Sequence, residues 1–226
     1  MNDALVISTC KLIAAHHDEK HQAKPFQFHT ELGDNDINLL SSTPACLQPL
    51  IKEFPSVPII LLHSSYPFTR EAGYLATCYK TAFLDIGEVF PMVSRDCQES
   101  IIRQALELTP SSKILWSTDG HHFPETYWLA NKQGRQAIET VMCSYVERGD
   151  LTLSEAAQSV RDIFFGNSNK LYDLNLIMPE VEPTISPGVQ AVNLDQLPES
   201  QALDTFLKQH TNIKYVNVMW LDILGT

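Results

Sequence analysis

The sequence predicts an α/β fold built from strand–helix units, as in a (β/α) barrel. Short apolar runs bounded by turn residues are typical of parallel strands that are buried on both faces. Helical patterns separate these runs, and the run centres lie about 30 residues apart, the spacing of a strand followed by a crossover helix. The four runs are Pro25–His29, Pro58–His63, Ala82–Ile86 and Lys113–Trp116.

The segments between the runs carry helix signals. Residues 1–21 form an amphipathic pattern that ends in polar residues. Thr43 and Pro44 offer an N-cap and a proline at the first helical position. Apolar side chains then recur at helical spacing in four later segments. These segments are 69–79, 94–108, 124–145 and 151–165.

The bulk composition excludes some classes of partner. A net charge of −11 and a pI of about 5.1 disfavour nucleic acid and anionic membranes, which would repel the chain. We therefore expect no nucleic-acid partner and no membrane partner. The cysteines number five, an odd count, and form no CxxC motif. This usage predicts unpaired structural thiols in a reducing cytoplasm.

The amino-acid composition of the chain changes after Leu174. Residues 175–211 are rich in proline and polar residues, which predicts a linker with a short helix near residues 200–209. Residues 212–226 have the period-two pattern of a strand. We therefore expect a domain over residues 1–174, a linker over 175–211 and the start of another domain at 212–226.

Three side chains suitable for metal binding follow predicted strands. His29, His63 and Asp119 each lie at the C-terminal end of a run, and such ends converge on one rim in a parallel barrel. Two imidazoles and a carboxylate form a plausible first shell for Zn²⁺ or a similar divalent ion. Asp119 is also the expected catalytic residue, because it either ligates the metal or takes a proton from water. Hydrogen bonding without a metal stays an alternative for these histidines.

Further polar residues are expected to bind substrate at the same rim. Tyr66 and Arg70 supply an aromatic ring and a guanidinium, which suit a small acid or amide; a plain helix-capping turn is the alternative. Glu88 and His121 follow the third and fourth runs and complete the expected substrate-binding set. Asp85 lies inside the third run and is expected to be a buried structural acid.

The strings FHTELGD, IILLHSSYPFTREAGYLA, FLDIGEVFP and LWSTDGHHFPET, with the closing DIFFGNSNKLYDL, carry a family resemblance. Together they resemble the amidohydrolase-related, metal-dependent hydrolase barrel domain. The similarity is greatest to the form that is fused to glutamine synthetase in the nodulin–glutamine synthetase family. It covers about residues 1–174, and residues 212–226 resemble the opening strand of the synthetase part.

The resemblance implies a more specific fold. Residues 1–174 would be the C-terminal half of a (β/α)₈ TIM-type barrel, with about four βα units. Residues 212–226 would begin a glutamine-synthetase-like N-terminal β-grasp domain. His29 matches the histidine after barrel strand five, His63 the one after strand six, and Asp119 the acid after strand eight. Open sheet edges then predict a homo-oligomer or association with another chain.

The same resemblance implies an activity. Family members carry out metal-assisted hydrolysis of a C–N or similar bond in a small-molecule substrate, or in some branches a decarboxylation. A divalent metal, with Zn²⁺ as the first candidate, is therefore the expected cofactor. No HxH strand precedes His29, so both metal affinity and turnover are expected to be weak in this chain. Two alternatives stay open: a regulatory module associated with a glutamine synthetase in nitrogen metabolism or developmental signalling, and a non-catalytic chain that is stable only as an oligomer.

Overall fold

The computed structural model describes residues 2–20, 23–30, 32, 35 and 37–178. The expected short helix near residues 200–209 and the expected strand within 212–226 lie outside the described residues. The predicted domain division and the predicted association with another chain therefore stay predictions. So does the cytoplasmic location. Within the described part of the chain, no helix is long and apolar enough to cross a membrane.

Four parallel strands form one sheet in the order β1-β2-β3-β4. The register pairs Phe26 with Ile59, Ile59 with Ala82, and Leu84 with Ile114. Sequential parallel strands with helices between them confirm the predicted α/β class, and the arrangement is consistent with part of a barrel. The strands are β1 (Phe26–Phe28), β2 (Ile59–Leu61), β3 (Ala82–Asp85) and β4 (Ile114–Leu115).

Helices precede, connect and follow these strands. Each helical segment predicted before residue 175 contains a helix, and the observed ends differ from the predicted ones by a few residues, as is common at helix termini. Single turns of 3₁₀ helix cover Pro44–Leu47, His63–Ser65 and Ser111–Lys113, and a π-helical turn covers Asp162–Gly166. The α-helices are α1 (Asn2–Lys20), α2 (Gln48–Glu53), α3 (Thr69–Cys78), α4 (Val89–Met92), α5 (Arg95–Leu106), α6 (Pro124–Glu147), α7 (Leu153–Arg161) and α8 (Asn167–Leu171).

The apolar core lies between the sheet and the helices. In β2, Ile59 and Leu61 belong to a buried cluster that also contains Ala72 and Ala76 of α3. Ile60 is just as buried but lines a cavity on the other face of the strand. Both faces of β2 are therefore covered, which explains why this strand reads as a continuous apolar run rather than an alternating one.

The segment at the end of the described domain connects the two edge strands. The side-chain amide of Asn167 donates hydrogen bonds to the carbonyl oxygens of Ser111, at 2.7 Å, and Ile114, at 2.8 Å. Five residues later, the Tyr172 hydroxyl accepts a hydrogen bond from the side-chain amide of Gln27 in β1. The first contact fixes α8 to the start of β4, and the second fixes the same segment to β1.

Replacement of Asn167 by alanine should lower the free energy of unfolding by about 2 kcal/mol, because it removes two hydrogen bonds, one of them to the carbonyl oxygen of the buried Ile114. Asn169→Ala is the matched control, since its two hydrogen bonds to Leu176 are exposed to solvent. That change should cost less than about 1 kcal/mol. Urea unfolding monitored by circular dichroism compares them, and equal losses would contradict the anchoring role.

Candidate metal centre

The ends of β1, β2 and β3 bring three potential metal ligands together. His29, His63 and Glu88 each offer one ligand atom, and these atoms all lie within 4.8 Å of one another. The three residues follow successive parallel strands, whose C-terminal ends meet at the same edge of the sheet. The strands therefore gather side chains that are distant in sequence.

His63 lies at the centre of this cluster. Its ring centroid is 4.2 Å from that of His29, and its Nδ1 is 2.9 Å from Oε2 of Glu88. The same Nδ1 is 3.6 Å from Oδ2 of Asp119. The imidazole is almost fully buried, whereas His29 is exposed and Asp119 keeps 47% of its side-chain surface exposed. Solvent therefore reaches the cluster from the side of His29 and Asp119.

One buried atom of the cluster lacks a hydrogen-bond partner among the described residues. It is Nε2 of His63, whereas Nδ1 of the same ring faces Oε2 of Glu88 at 2.9 Å. Buried polar atoms are nearly always hydrogen-bonded, so such a group calls for an explanation. A divalent cation supplies one, because two imidazoles and a carboxylate are a donor set that Zn²⁺ commonly binds.

The surrounding carboxylates change the acidity of His63. Burial opposes protonation of the imidazole, but the adjacent Glu88 carboxylate, together with Asp119 and Asp85, outweighs this effect and raises the pKa of His63 above its ordinary value. The site thus has a strongly negative potential, which favours a cation, whether a proton or a metal ion.

The backbone at these strand ends adopts left-handed conformations. The φ angles of His63, Ser64 and Ser65 are 61°, 55° and 46°, and those of Glu88 and Asp119 are 59° and 46°. Non-glycine residues pay a free-energy cost in this region, and such residues concentrate at functional sites. Of these residues, His63 and Glu88 belong to the closest ligand set and Asp119 lies beside it.

The observed cluster differs from the sequence expectation in one member. His29 and His63 come together as expected, but Glu88, expected to bind substrate, is the third residue of the closest ligand set. Asp119, the expected third ligand, lies beside the set, 3.6 Å from His63. The left-handed backbone of Glu88 explains the difference, because spacing along a strand does not reveal such a turn.

The other residues expected to bind substrate do not line the site cavity. Arg70 is exposed on α3, where its guanidinium donates hydrogen bonds of 2.8 and 2.9 Å to the carboxylate of Glu107, and its substrate role stays a prediction. Tyr66 packs against the core, where nearby Cys97 raises its pKa. His121 is exposed, with Nδ1 3.0 Å from its neighbour's carbonyl oxygen, that of Asp119.

A cavity of about 420 Å³ opens next to His63. Asp85, Ser117 and Asp119 line it at the strand ends, and Gln27 and Tyr172 line it further along the sheet. A second cavity, of about 290 Å³, lies among α5, α6 and the start of α7 and contains none of the candidate metal ligands. The first cavity is therefore the one in which a small molecule would meet the metal centre.

Asp85 is a site residue that sequence reasoning assigned only a structural role. It is 5% exposed, and its Oδ1 accepts hydrogen bonds from the Gly87 backbone, at 2.8 Å, and from Ser117 Oγ, at 3.0 Å. A Cβ atom at position 87 would stand 2.0 Å from Ser117 Oγ, so this arrangement requires glycine. Burial raises the pKa of Asp85 to about 6. In the sequence, the triplet Asp85-Ile86-Gly87 at the end of the third run could have indicated that a glycine packs against this carboxylate.

The fold and this cluster define a metal-dependent hydrolase architecture, and comparison with known sequences agrees. Residues 24–174 match the profile of the Amidohydrolase family, so the chain belongs to this family. The resemblance noted in the sequence is thereby confirmed.

Two relatives illustrate the relationship. Protein fluG of Emericella nidulans is 51% identical over all 226 residues, which span 26% of its length. A crystal structure of a Lactobacillus casei protein assigned as a metal-dependent hydrolase superposes with a TM-score of 0.67 at 28% identity. That match covers 76% of this chain and 43% of the other. The chain thus spans about a quarter of the first relative and less than half of the second.

Asp85→Asn should change how stability depends on pH. A raised pKa means that the folded state holds the proton more tightly, so stability contributed by protonated Asp85 is lost as pH rises from about 4 to about 6. Asparagine does not ionise and can accept both hydrogen bonds. At pH 8 the variant should therefore be more stable than the parent by up to about 3 kcal/mol, a gap that shrinks towards pH 4.

Urea unfolding of the chelator-treated proteins across this pH range measures the gap. The exposed Asp96→Asn, in the first turn of α5, is the control and should show no stabilising gap at pH 8. A gap for Asp85→Asn that stays constant from pH 4 to pH 8 would show that burial does not shift this carboxyl group.

Proposed function

We propose that this chain carries the metal-binding and proton-transfer residues of an amidohydrolase that cleaves a C–N or similar bond in a small molecule. The observation on which the proposal rests is the cluster of His29, His63 and Glu88, whose ligand atoms lie within 4.8 Å of one another and which includes a buried Nε2 of His63 without a hydrogen-bond partner among the described residues. Membership of the Amidohydrolase family over residues 24–174 supports the reaction class.

Zn²⁺ is the metal that the donor set favours. Two imidazoles and one carboxylate are typical of catalytic zinc sites, in which three protein ligands leave a further position open. A divalent metal held by these residues would polarise the scissile carbonyl and lower the pKa of water at the site. Imidazole donors also argue against Mg²⁺ and Ca²⁺, which prefer oxygen ligands alone.

Asp119 is the proposed proton carrier. Its carboxylate lies outside the closest ligand set, beside His63 and half exposed. From this position it can accept a proton from the attacking water while the water oxygen bonds to the carbonyl carbon. The same proton then passes to the leaving nitrogen as the C–N bond breaks, so that acid and amine form and Asp119 returns to its starting state.

A second candidate function is a regulatory module adjacent to a glutamine-synthetase-like domain. The observation that favours it is the similarity to fluG, which continues over residues 175–226, beyond the Amidohydrolase match. Under this proposal, residues 212–226 begin the second domain and the barrel region binds a ligand without turnover. The two candidates predict different behaviour in hydrolysis assays, although both accommodate a bound metal.

Metal binding tests the carrying observation. The chelator-treated chain should take up about one equivalent of Zn²⁺ in isothermal titration calorimetry. His63→Ala and Glu88→Gln should each weaken the affinity about tenfold or more, since each removes a ligand. His17→Ala on α1 is the histidine control and should keep the parental affinity. Equal losses in all three variants, or no uptake by the parent, would exclude the cluster as a metal centre.

Asp119→Asn separates metal binding from proton transfer. Because Asp119 lies beside the ligand set, the variant should keep the parental Zn²⁺ stoichiometry. Its rate of hydrolysis of chromogenic anilides should fall by about 10²- to 10⁴-fold, the usual contribution of a general base. Release of nitroaniline from the zinc-loaded proteins gives the rates. Unchanged rates would remove Asp119 from the mechanism, and loss of zinc would make it a ligand instead.

A further inference from the structure

We infer that Asp85 contacts the substrate directly and that its Oδ2 accepts a hydrogen bond from an N–H group of the ligand at the metal centre. The site would thereby select amides that carry an N–H at the reacting bond over esters and N-alkylated amides. This inference rests on the proposed metal-dependent hydrolysis and specifies the substrate class for it.

The position of Asp85 places its carboxylate in the reaction space. It is the last residue of β3, three residues before Glu88, and it lines the same cavity as His63 and Asp119. The side chain is 95% buried from bulk solvent, so the cavity is the space that remains for a partner. A group in the cavity can reach both the metal centre and Asp85.

One oxygen of Asp85 is used by the fold and the other is not. Oδ1 accepts both the Gly87 N–H and the Ser117 hydroxyl. Across the described ranges, no hydrogen bond or ion pair of a lysine or arginine reaches this carboxylate. An asparagine could accept the same two hydrogen bonds through its single oxygen without the cost of burying a charge. The charge of His63 acts on the Asp85 carboxylate through space. The hydrogen bonds of the fold require only Oδ1, so Oδ2 is available to a donor from a ligand.

The adjacent wall of the cavity offers acceptors rather than donors. Ser117 gives its hydroxyl hydrogen to Asp85, which leaves its oxygen lone pairs facing outward as acceptors. Asp119 is a carboxylate and also accepts. A wall of three acceptors, Asp85 Oδ2, Ser117 Oγ and the Asp119 carboxylate, matches a ligand that presents N–H donors. An ester oxygen would find no hydrogen-bond donor on this wall. An N-methyl group would leave Asp85 Oδ2 without a donor.

A pair of hydroxamates tests this contact without the natural substrate. Acetohydroxamate and N-methylacetohydroxamate both chelate Zn²⁺ through two oxygens, but only the first keeps an N–H. The zinc-loaded parent should bind acetohydroxamate about tenfold or more tightly than the methylated analogue, as expected for a hydrogen bond to a buried carboxylate. Titration calorimetry with each compound gives the ratio of the two dissociation constants.

Asp85→Asn is the informative variant, because it keeps the size of the side chain and turns the outer atom from an acceptor into a donor. The variant should bind the two hydroxamates about equally, with a ratio of dissociation constants of about 1. Its affinities for Zn²⁺ and for the methylated analogue should stay at the parental values. Asp85→Ser serves in its place should the asparagine variant not fold. A change in all three constants together would indicate a structural role and overturn the inference.

Different results would refute the proposed metal-dependent function and the proposed contact of Asp85 with the substrate. A parent chain that takes up no Zn²⁺ refutes the metal-dependent function, and the inference with it. A parent chain that takes up Zn²⁺ but binds both hydroxamates equally refutes the contact to Asp85 and leaves the metal centre intact. A tenfold preference that survives Asp85→Asn assigns the N–H acceptor to another residue and likewise overturns the inference.

Discussion

The site depends on one constraint: parallel strands in sequential order end at the same edge of their sheet. His29, His63 and Glu88 are separated by 34 and 25 residues along the chain, yet each is carried to this edge by its own strand. Hydrogen-bonded register between the strands fixes how far each side chain projects. A shift of register by one residue would turn these side chains to the other face of the sheet. The same strand register therefore determines both the packing of the sheet core and the geometry of the candidate metal centre.

The local arrangement works against stability, as functional sites often do. A buried imidazole with one unpaired ring nitrogen, a buried carboxylate and a run of left-handed residues each cost free energy. The apolar packing of β2 and α3 offsets this cost, because those residues are almost fully buried. A cation at the cluster would neutralise part of the negative charge around His63. The strain is therefore concentrated where a bound metal can relieve it.

Much of the fold could be predicted because its signals are local. Apolar runs and helical periodicity located the strands and the principal helices, and the strand-end positions of His29 and His63 followed from them. The roles of Glu88 and Asp85 could not be predicted, since a left-handed turn and a shared hydrogen-bond acceptor depend on neighbours in other strands. Arg70 shows the same limit: its partner Glu107 lies 37 residues away, directly after α5, and the sequence gives no sign of the pairing.

The contact between Tyr172 and Gln27 joins residues 145 positions apart. During vectorial synthesis, the ribosome releases β1 to β4 long before residue 172 emerges. This wall of the cavity can therefore form only after all four strands have been synthesised. Contacts between residues so far apart in sequence slow folding, because the intervening chain must be ordered before they form.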